Sequence, residues 1–187
     1  LSQNIYQTFV GAVVSSGNFT EARKDLENLY ETKTFTSSNV DGRYSAFYRK
    51  ERSSFVFLRF VANDTEERNN VLKGLALVRL PEMYYILAES LYDTDPKAAK
   101  AALDEVRKSR GLQPVDDAKF QSKDAFLQEM LNERMREMPG EGQVFYALKH
   151  YNKPFKGLNG RKVIEPSTAR FVLPRPEREL EFGNKQQ

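Results

Sequence analysis

Three glutamates recur at four-residue spacing in the second half of the chain, at Glu129, Glu133 and Glu137. On a helix this spacing places all three carboxylates on one face. Such a row could perform general acid–base chemistry or bind a metal ion. It could equally be a charged helix face that pairs with Arg134 and Arg136. Because the chain has only one histidine to complement the carboxylates, we favour the charged face.

Few other residues offer catalytic chemistry. His150 is the single histidine and cysteine is absent, which excludes multi-histidine and thiolate metal sites and a cysteine nucleophile. His150 could relay protons, but beside Lys149 at a predicted helix end it is more simply a cation that complements the helix dipole. The sequence has no phosphate-binding glycine loop and no nucleophile elbow. We therefore predict no catalytic, cofactor-binding or metal-binding residues, and no enzyme.

A cluster of aromatic residues could instead bind a ligand. It consists of Tyr44, Phe47, Tyr48, Phe55, Phe57 and Phe60. Aromatic faces with polar edges suit stacking on sugar rings. The alternative is the core of a hairpin, because alternate positions of a strand face the same side. We favour the hairpin core, and the residues that would bind a sugar stay unknown.

Composition is that of an ordinary globular protein. The 187 residues are 40% hydrophobic and 29% charged, with a net charge of +3, and such a chain can bury a core. Lysine and arginine are interspersed with acidic residues, which argues against nucleic acid as a partner. No apolar run approaches the roughly 20 residues that span a bilayer, and no signal peptide is visible.

Helices would position most of these residues. Apolar spacing and capping residues predict helices at about 5–14, 20–31, 81–92, 96–110, 123–138 and 141–151. The short turn at Asp93 and Thr94 makes the segment from Leu80 to Gly111 an αα-hairpin. Its first helix is apolar over a wide arc, which predicts burial between neighbours.

The remaining segments are predicted to be loops and short strands. Residues 32–43 have the composition of a loop. Residues 44–49 and 55–62 are predicted to be the strands of a small β-hairpin. A short extended piece at 170–173 and a helical turn near 177–180 are predicted close to the chain's end.

Four segments resemble, in the same order, sequence motifs of the SusD/RagB family. Val71–Asp93 is similar to its "R-L-x-E-x-Y-L-x-x-A-E-A" helix, and Ala101–Leu112 to its "L-N-x-V-R-x-R-A-G" helix. Leu131–Gly142 resembles "E-R-x-x-E-x-x-x-E-G", and Phe171–Asn184 resembles the closing "P-I-P-x-x-E…N". Each motif alone is weak, whereas four in family order are specific.

Further positions agree with or depart from the family pattern. Asp41 and Arg43 match its "D-x-R" stretch. The departures are Asp104, Gln143, Val144, Ala147 and His150. They concern an ion-pair network around the fourth helix and not the fold.

The resemblance implies a mainly α fold of tetratricopeptide-like helix pairs with loops and a small β-hairpin. It also implies that residues 1–187 are the carboxy-terminal portion of a SusD-like domain. Residues 1–70 would be a variable helix pair, loop and hairpin, and residues 71–187 the helical family core. Because the chain begins at Leu1, we expect it to be a mature product or a fragment.

The resemblance implies a non-catalytic glycan- or nutrient-binding subunit of polysaccharide utilization in Bacteroidetes. It would lie at the cell-surface face of the outer membrane and pass ligand to a SusC-like TonB-dependent transporter. No cofactor is implied, and membrane contact would occur only through a lipid anchor of the full-length protein that is not in this chain. The alternative is a tetratricopeptide-like helical adaptor that binds a protein partner, with no small-molecule ligand in this segment.

No ligand residue carries over from the family, but a structural role does. It is implied for Arg79, Glu82, Arg107, Arg110, Glu133, Arg134 and Glu137. Buried pairs of arginine and carboxylate fix how helices cross, and removal of one partner leaves an unpaired charge. We therefore expect ion pairs that hold the helices together.

Overall fold

The computed structural model describes residues 27–30, 41–51, 54–57, 78–156, 163–172 and 176. The α-helices whose bounds lie within these ranges are α1 (Gly42–Phe47), α2 (Leu80–Leu91), α3 (Pro96–Ser109), α4 (Lys123–Glu137), α5 (Gln143–Tyr151) and α6 (Thr168–Phe171). Residues 27–29 are also helical, and a 3-10 helix spans Asp117–Phe120. Antiparallel pairs are formed by β1 (Tyr48–Glu51) with β2 (Ser54–Phe57) and by β3 (Phe155–Lys156) with β4 (Val163–Ile164). The predicted mainly α fold with a small β-hairpin is confirmed.

The αα-hairpin forms as its capping residues predict. Pro81 lies in the first turn of α2, and Pro96 begins α3 after the Asp95 side chain, which accepts a hydrogen bond from the Ala98 amide at 3.0 Å. Gly111 ends α3 in the left-handed region, with φ of 82°. The Leu112 amide then donates to the Arg107 carbonyl at 3.0 Å, which closes a Schellman cap.

The hydrophobic core lies where α2, α3, α4 and α5 meet. Its completely buried members include Tyr85, Leu103, Phe126, Met130 and Met138. Each of the four helices contributes buried side chains, and α4 contributes the most. The helix α4, which carries the row of glutamates, is therefore central to the core.

The predicted burial of α2 between neighbours is found for only part of its apolar arc. Tyr85 and Ala88 are its buried residues. The exposed apolar residues of this helix are Leu80 (69%), Met83 (42%), Ile86 (50%) and Leu87 (45%). Only one face of α2 packs against the core, so its apolar arc is wider than the surface that its described neighbours cover.

Two local predictions are also corrected. Gly42 and Arg43, predicted as loop, and Tyr44 to Phe47, predicted as strand, form the helix α1. The Asp41 side chain caps this helix by accepting from the Arg43 amide at 3.0 Å, so the strand begins only at Tyr48.

Near the chain's end, Arg170 and Phe171 are helical instead of extended. Burial of Phe171 against the core gives the α6 turn its anchor. The predicted helix 5–14, most of 20–31, the continuation of the second strand over 58–62, and the turn at 177–180 lie outside the described residues. Within the described ranges, no helix combines the length and apolarity that crossing a membrane requires.

Candidate functional site

The three glutamates of α4 share one face, as predicted, and that face is buried. Glu129 is 1% exposed, and Glu133 and Glu137 are 0% exposed. Arg136 pairs with this row, as predicted, but Arg134 does not. The predicted charged face that pairs with arginine is therefore confirmed for Arg136, and its carboxylates form the interior of an ion-pair network.

Glu133 lies at the centre of the network. Its two carboxylate oxygens accept from Arg43 Nη1 at 2.9 Å, Arg107 Nη1 at 2.8 Å and Arg136 Nη1 at 2.8 Å. Burial opposes ionisation of this carboxyl, but the three guanidinium groups outweigh burial and hold the pKa of Glu133 at about 2. Glu133 is therefore a carboxylate that cannot donate a proton near neutral pH.

Glu137 joins three segments to the end of α4. Arg110 binds it through Nε at 2.9 Å and Nη2 at 2.8 Å. Arg43 Nη1 lies 3.2 Å from Glu137 Oε2, and Arg79 binds both the carboxylate and, at 2.8 Å, the backbone carbonyl. Burial raises and these arginines lower the pKa of Glu137, with a net effect below its usual value.

Arg43 ties α1 to α4. Its guanidinium forms a fork with Asp41, with Nε to Oδ1 at 2.9 Å and Nη2 to Oδ2 at 2.7 Å, while Nη1 reaches Glu133 and Glu137. Both Arg43 and Asp41 are buried. We did not predict a structural role for this pair. The "D-x-R" resemblance was the signal that pointed to it.

Glu129, at the other end of the glutamate row, is also held by cations. Glu129 Oε1 accepts from Arg136 at 2.8 Å, and Glu129 Oε2 lies 3.2 Å from Lys119 Nζ. Arg136 Nε donates to the Leu29 carbonyl at 2.6 Å, and the Tyr30 hydroxyl donates to the Arg136 carbonyl at 2.8 Å. These bonds attach the 27–30 segment to α4.

The contacts of the ion-pair network indicate a structural role. Every buried side-chain nitrogen and oxygen of the described residues has a hydrogen-bond partner. The glutamates face guanidinium groups and not one another, and no cluster in the described ranges could hold a metal ion. The structural role implied for Arg79, Arg107, Arg110, Glu133 and Glu137 is confirmed by these contacts.

Two of the residues expected to be structural lie outside this network. Glu82 lies in the first turn of α2, where its charge complements the helix dipole. Arg134 forms a second cluster, in which its Nη2 donates to Glu89 at 2.8 Å and its Nε to the Tyr151 hydroxyl at 3.1 Å. The Tyr151 hydroxyl also donates to Glu89, so three helices meet in this cluster.

His150 lies at the edge of the second cluster. Its Nε2 is 3.5 Å from Glu89 Oε2, and its side chain is 71% exposed at the end of α5. This position agrees with the interpretation of His150 as a residue of a helix terminus. The nearby Ala147 is buried, so at this departure from the family pattern the helix supplies packing and no charge.

We expect Arg134→Ala to lower the free energy of unfolding by roughly 2 kcal/mol. This is less than the loss expected for a fully buried pair, because the side chains of Arg134 and Glu89 are 11% and 19% exposed. Urea denaturation followed by circular dichroism measures the change. Arg170→Ala, at an exposed position, is the matched control and should stay within about 0.5 kcal/mol of the parent. An unchanged midpoint for Arg134→Ala would contradict the structural role.

Two tyrosines of the predicted aromatic cluster pack against a third tyrosine from another segment. The rings of Tyr44 and Tyr48 pack against Tyr30, with centroid distances of 5.6 and 5.8 Å, and Tyr30 is 2% exposed. Tyr44 and Tyr48 are half-buried. This packing agrees with the prediction that the rings form a core and not a sugar-stacking surface. The core joins the helix α1 to the strand β1, whereas the prediction was the core of a hairpin. Phe60 lies outside the described residues.

Two grooves open beside the ion-pair clusters. The larger, of about 430 Å³, is lined by Gly42, Arg43, Ala46, Phe47, Arg79, Ser109, Arg110 and Glu137. The smaller, of about 170 Å³, is lined by Arg134, Gln143, Tyr146, Ala147, His150 and Tyr151. The larger groove joins α1 to the end of the αα-hairpin and is the better candidate for a ligand site, because pockets for small molecules start at roughly 300 Å³.

Comparison with known proteins places the chain in a family. The sequence model of the SusD family matches residues 5–174. No curated protein and no solved structure matches the chain. The matched range contains every helix and strand described above and both ion-pair clusters. Because the match extends over most of the 187 residues, the chain belongs to the SusD family.

Proposed function

We propose that the chain is a non-catalytic glycan- or nutrient-binding subunit at the cell-surface face of the outer membrane. It passes its ligand to a SusC-like TonB-dependent transporter, and the full-length protein carries a lipid anchor. The observation that carries this proposal is the SusD family match over residues 5–174, because that family consists of nutrient-binding proteins associated with the outer membrane.

The ion-pair geometry supports a binding role over a catalytic one. The carboxylates best placed for acid–base chemistry by their spacing are Glu129, Glu133 and Glu137, and each is held by at least two cations. A catalytic acid or base needs a pKa near the working pH, whereas the pKa of Glu133 is about 2. These residues stabilise the scaffold.

The domain organisation follows from the same proposal. Residues 1–187 are the carboxy-terminal portion of a SusD-like domain, with residues 71–187 as its helical family core and residues 1–70 as a variable part. The contacts of α2, α3, α4 and α5 support the first assignment. Arg43 supports a close attachment of the variable part, because it reaches Glu133 and Glu137 of α4.

The test of ligand binding is calorimetric titration of the purified chain with a panel of neutral and acidic polysaccharides. We expect at least one polysaccharide to bind and none to be cleaved during prolonged incubation, as product chromatography would show. Tyr48→Ala tests the aromatic cluster, because Tyr48 is a half-buried member of it. Binding that survives this change at unchanged stability would place the ligand elsewhere. The complete absence of binding would contradict the proposal.

A protein-binding adaptor is the alternative, and the exposed apolar face of α2 favours it. Leu80, Met83, Ile86 and Leu87 are 42–69% exposed, and contiguous exposed apolar surface is a feature of interaction sites. Both hypotheses predict co-purification with the SusC-like transporter of the same bacterium, so the adaptor hypothesis is tested by co-purification together with the absence of glycan binding. Under the adaptor hypothesis, Leu87→Arg abolishes co-purification and no glycan binds. Ala101→Arg, on an exposed position of α3, introduces the same charge and is the control.

A further inference from the structure

Three arginines and a carboxylate line the 430 Å³ groove. Among the described residues they are Arg43, Arg79, Arg110 and Glu137. Arg79 also pairs with Glu141 at 3.0 Å, and the buried Arg43 also pairs with Asp41 and Glu133. Glu137 lies on the floor with 1% of its side chain exposed, and it is paired with all three arginines. Arg79 and Arg110 keep 18% and 29% of their side-chain surface. Arg110 is the most exposed of the three arginines, so its guanidinium group is the one that the groove presents to a ligand, with Glu137 beneath it.

Arg110 has donors available for a ligand. Its Nε and Nη2 bind the two oxygens of Glu137 at 2.9 and 2.8 Å. Its Nη1 has no acceptor in the described part of the chain other than Ser109 Oγ, at the long distance of 3.4 Å. A guanidinium carries five N–H groups. Arg110 can thus bind a second carboxylate without releasing Glu137.

The same groove has an apolar part. Phe47, Ala46 and Gly42 of α1 contribute to the lining. Aromatic surface suits the C–H face of a sugar ring, and arginine binds carboxylates in a fork geometry. The two parts together match a pyranose ring that carries a carboxylate, which is the structure of a hexuronate. The volume of about 430 Å³ is in the range for one such unit.

We propose that this groove is a subsite for a uronic acid unit of a glycan. The carboxylate of the uronate pairs with Arg110, and its ring lies against Phe47. The inference rests on the proposed glycan-binding function and adds the substrate class, an acidic polysaccharide. Selectivity comes from charge, because a neutral sugar of the same shape leaves the guanidinium donors without a carboxylate.

The test compares two ligands and two variants. Galacturonate and galactose differ at C6, where one has a carboxylate and the other a hydroxymethyl group. Ala46 is exposed and lines the groove, so Ala46→Glu adds a carboxylate there without removing any pair of the network. Ala46→Gln adds nearly the same volume without charge. Ser45→Glu adds the same charge at an exposed neighbouring position outside the described lining.

We expect NMR titration to show binding of galacturonate and at least about tenfold weaker binding of galactose. Ala46→Glu should weaken galacturonate binding by about tenfold relative to Ala46→Gln, because like charges repel, whereas Ser45→Glu should stay close to the parent. Added salt should weaken galacturonate binding in the parent. Melting temperatures of all variants establish that they fold.

Three outcomes would overturn the subsite. They are equal affinities for galactose and galacturonate, equal effects of Ala46→Glu and Ala46→Gln, and acetate binding as tightly as galacturonate. The last would mean a carboxylate site without sugar selectivity. In each case a neutral polysaccharide can still bind in the calorimetric panel, which leaves the proposed function intact. If no glycan binds in either experiment, both proposals fail.

Discussion

Glu133→Gln is expected to destabilise the fold by roughly 3 to 5 kcal/mol, because it removes the carboxylate that three buried arginines share. The substitution keeps the size of the side chain and removes its charge. Arg43, Arg107 and Arg136 each lie within 2.9 Å of the Glu133 carboxylate and have exposed side-chain fractions of 2–6%. Water cannot replace the lost charge in this interior. The loss is a large share of the 5–15 kcal/mol typical of whole domains.

Urea denaturation at pH 7, followed by circular dichroism, measures this effect as a shift in midpoint at constant slope. Glu105→Gln is the matched control, because Glu105 is an exposed residue of α3. That control should stay within about 0.5 kcal/mol of the parent. A change of less than about 1 kcal/mol for Glu133→Gln would mean that the three arginines find other compensation, and the network would not be the element that joins the helices.

The network stabilises one arrangement of helices because its arginines come from different segments. Arg43 precedes the hairpin in α1, Arg79 precedes α2, and Arg107 and Arg110 lie at the end of α3. All of them converge on one face of α4. A shift of α4 by one turn would separate Glu133 and Glu137 from these partners at once, because the turn is about 5.4 Å high. The helix crossing is therefore specified by charge as well as by packing.

The αα-hairpin could be predicted because its signals are local. Asp95, Pro96 and Gly111 lie at the ends of the helices that they cap, so a short window of sequence contains the whole argument. The shared face of Glu129, Glu133 and Glu137 follows in the same way from the helical period. The family resemblance then implied the structural role of Glu133 and Glu137, which spacing alone could not supply.

Long-range partners could not be predicted from local patterns. Arg43 and Glu133 are 90 positions apart in sequence, and no periodicity links them. The aromatic content of residues 44–47 favoured a strand, but the Asp41 cap and the docking of Arg43 on α4 impose a helix. The exposed face of α2 has a related origin, since apolar spacing describes what a helix offers and not how many neighbours cover it.

Acid should unfold this protein over the range in which the buried glutamates become protonated. The pKa of Glu133 is lowered by its arginines from 4.5 to about 2 in the folded protein, and the pKa of Glu137 is lowered as well. Between about pH 4.5 and 2 the unfolded chain therefore binds more protons than the folded one. The stabilisation is fully present above about pH 4.5 and is lost as the pH falls toward 2, by about 3 kcal/mol for Glu133 alone.

The comparison of Glu133→Gln with the parent at several pH values isolates this residue, because the variant has no carboxyl at the position. The difference in unfolding free energy between the two proteins should be constant from pH 7 to about pH 5 and then shrink as the pH approaches 2. Glu105→Gln should show no such convergence, since Glu105 is exposed. A difference that stays constant down to pH 3 would contradict a lowered pKa for Glu133. Convergence would identify this carboxylate as a main source of acid lability, because its protonation removes the negative charge that pairs with Arg43, Arg107 and Arg136.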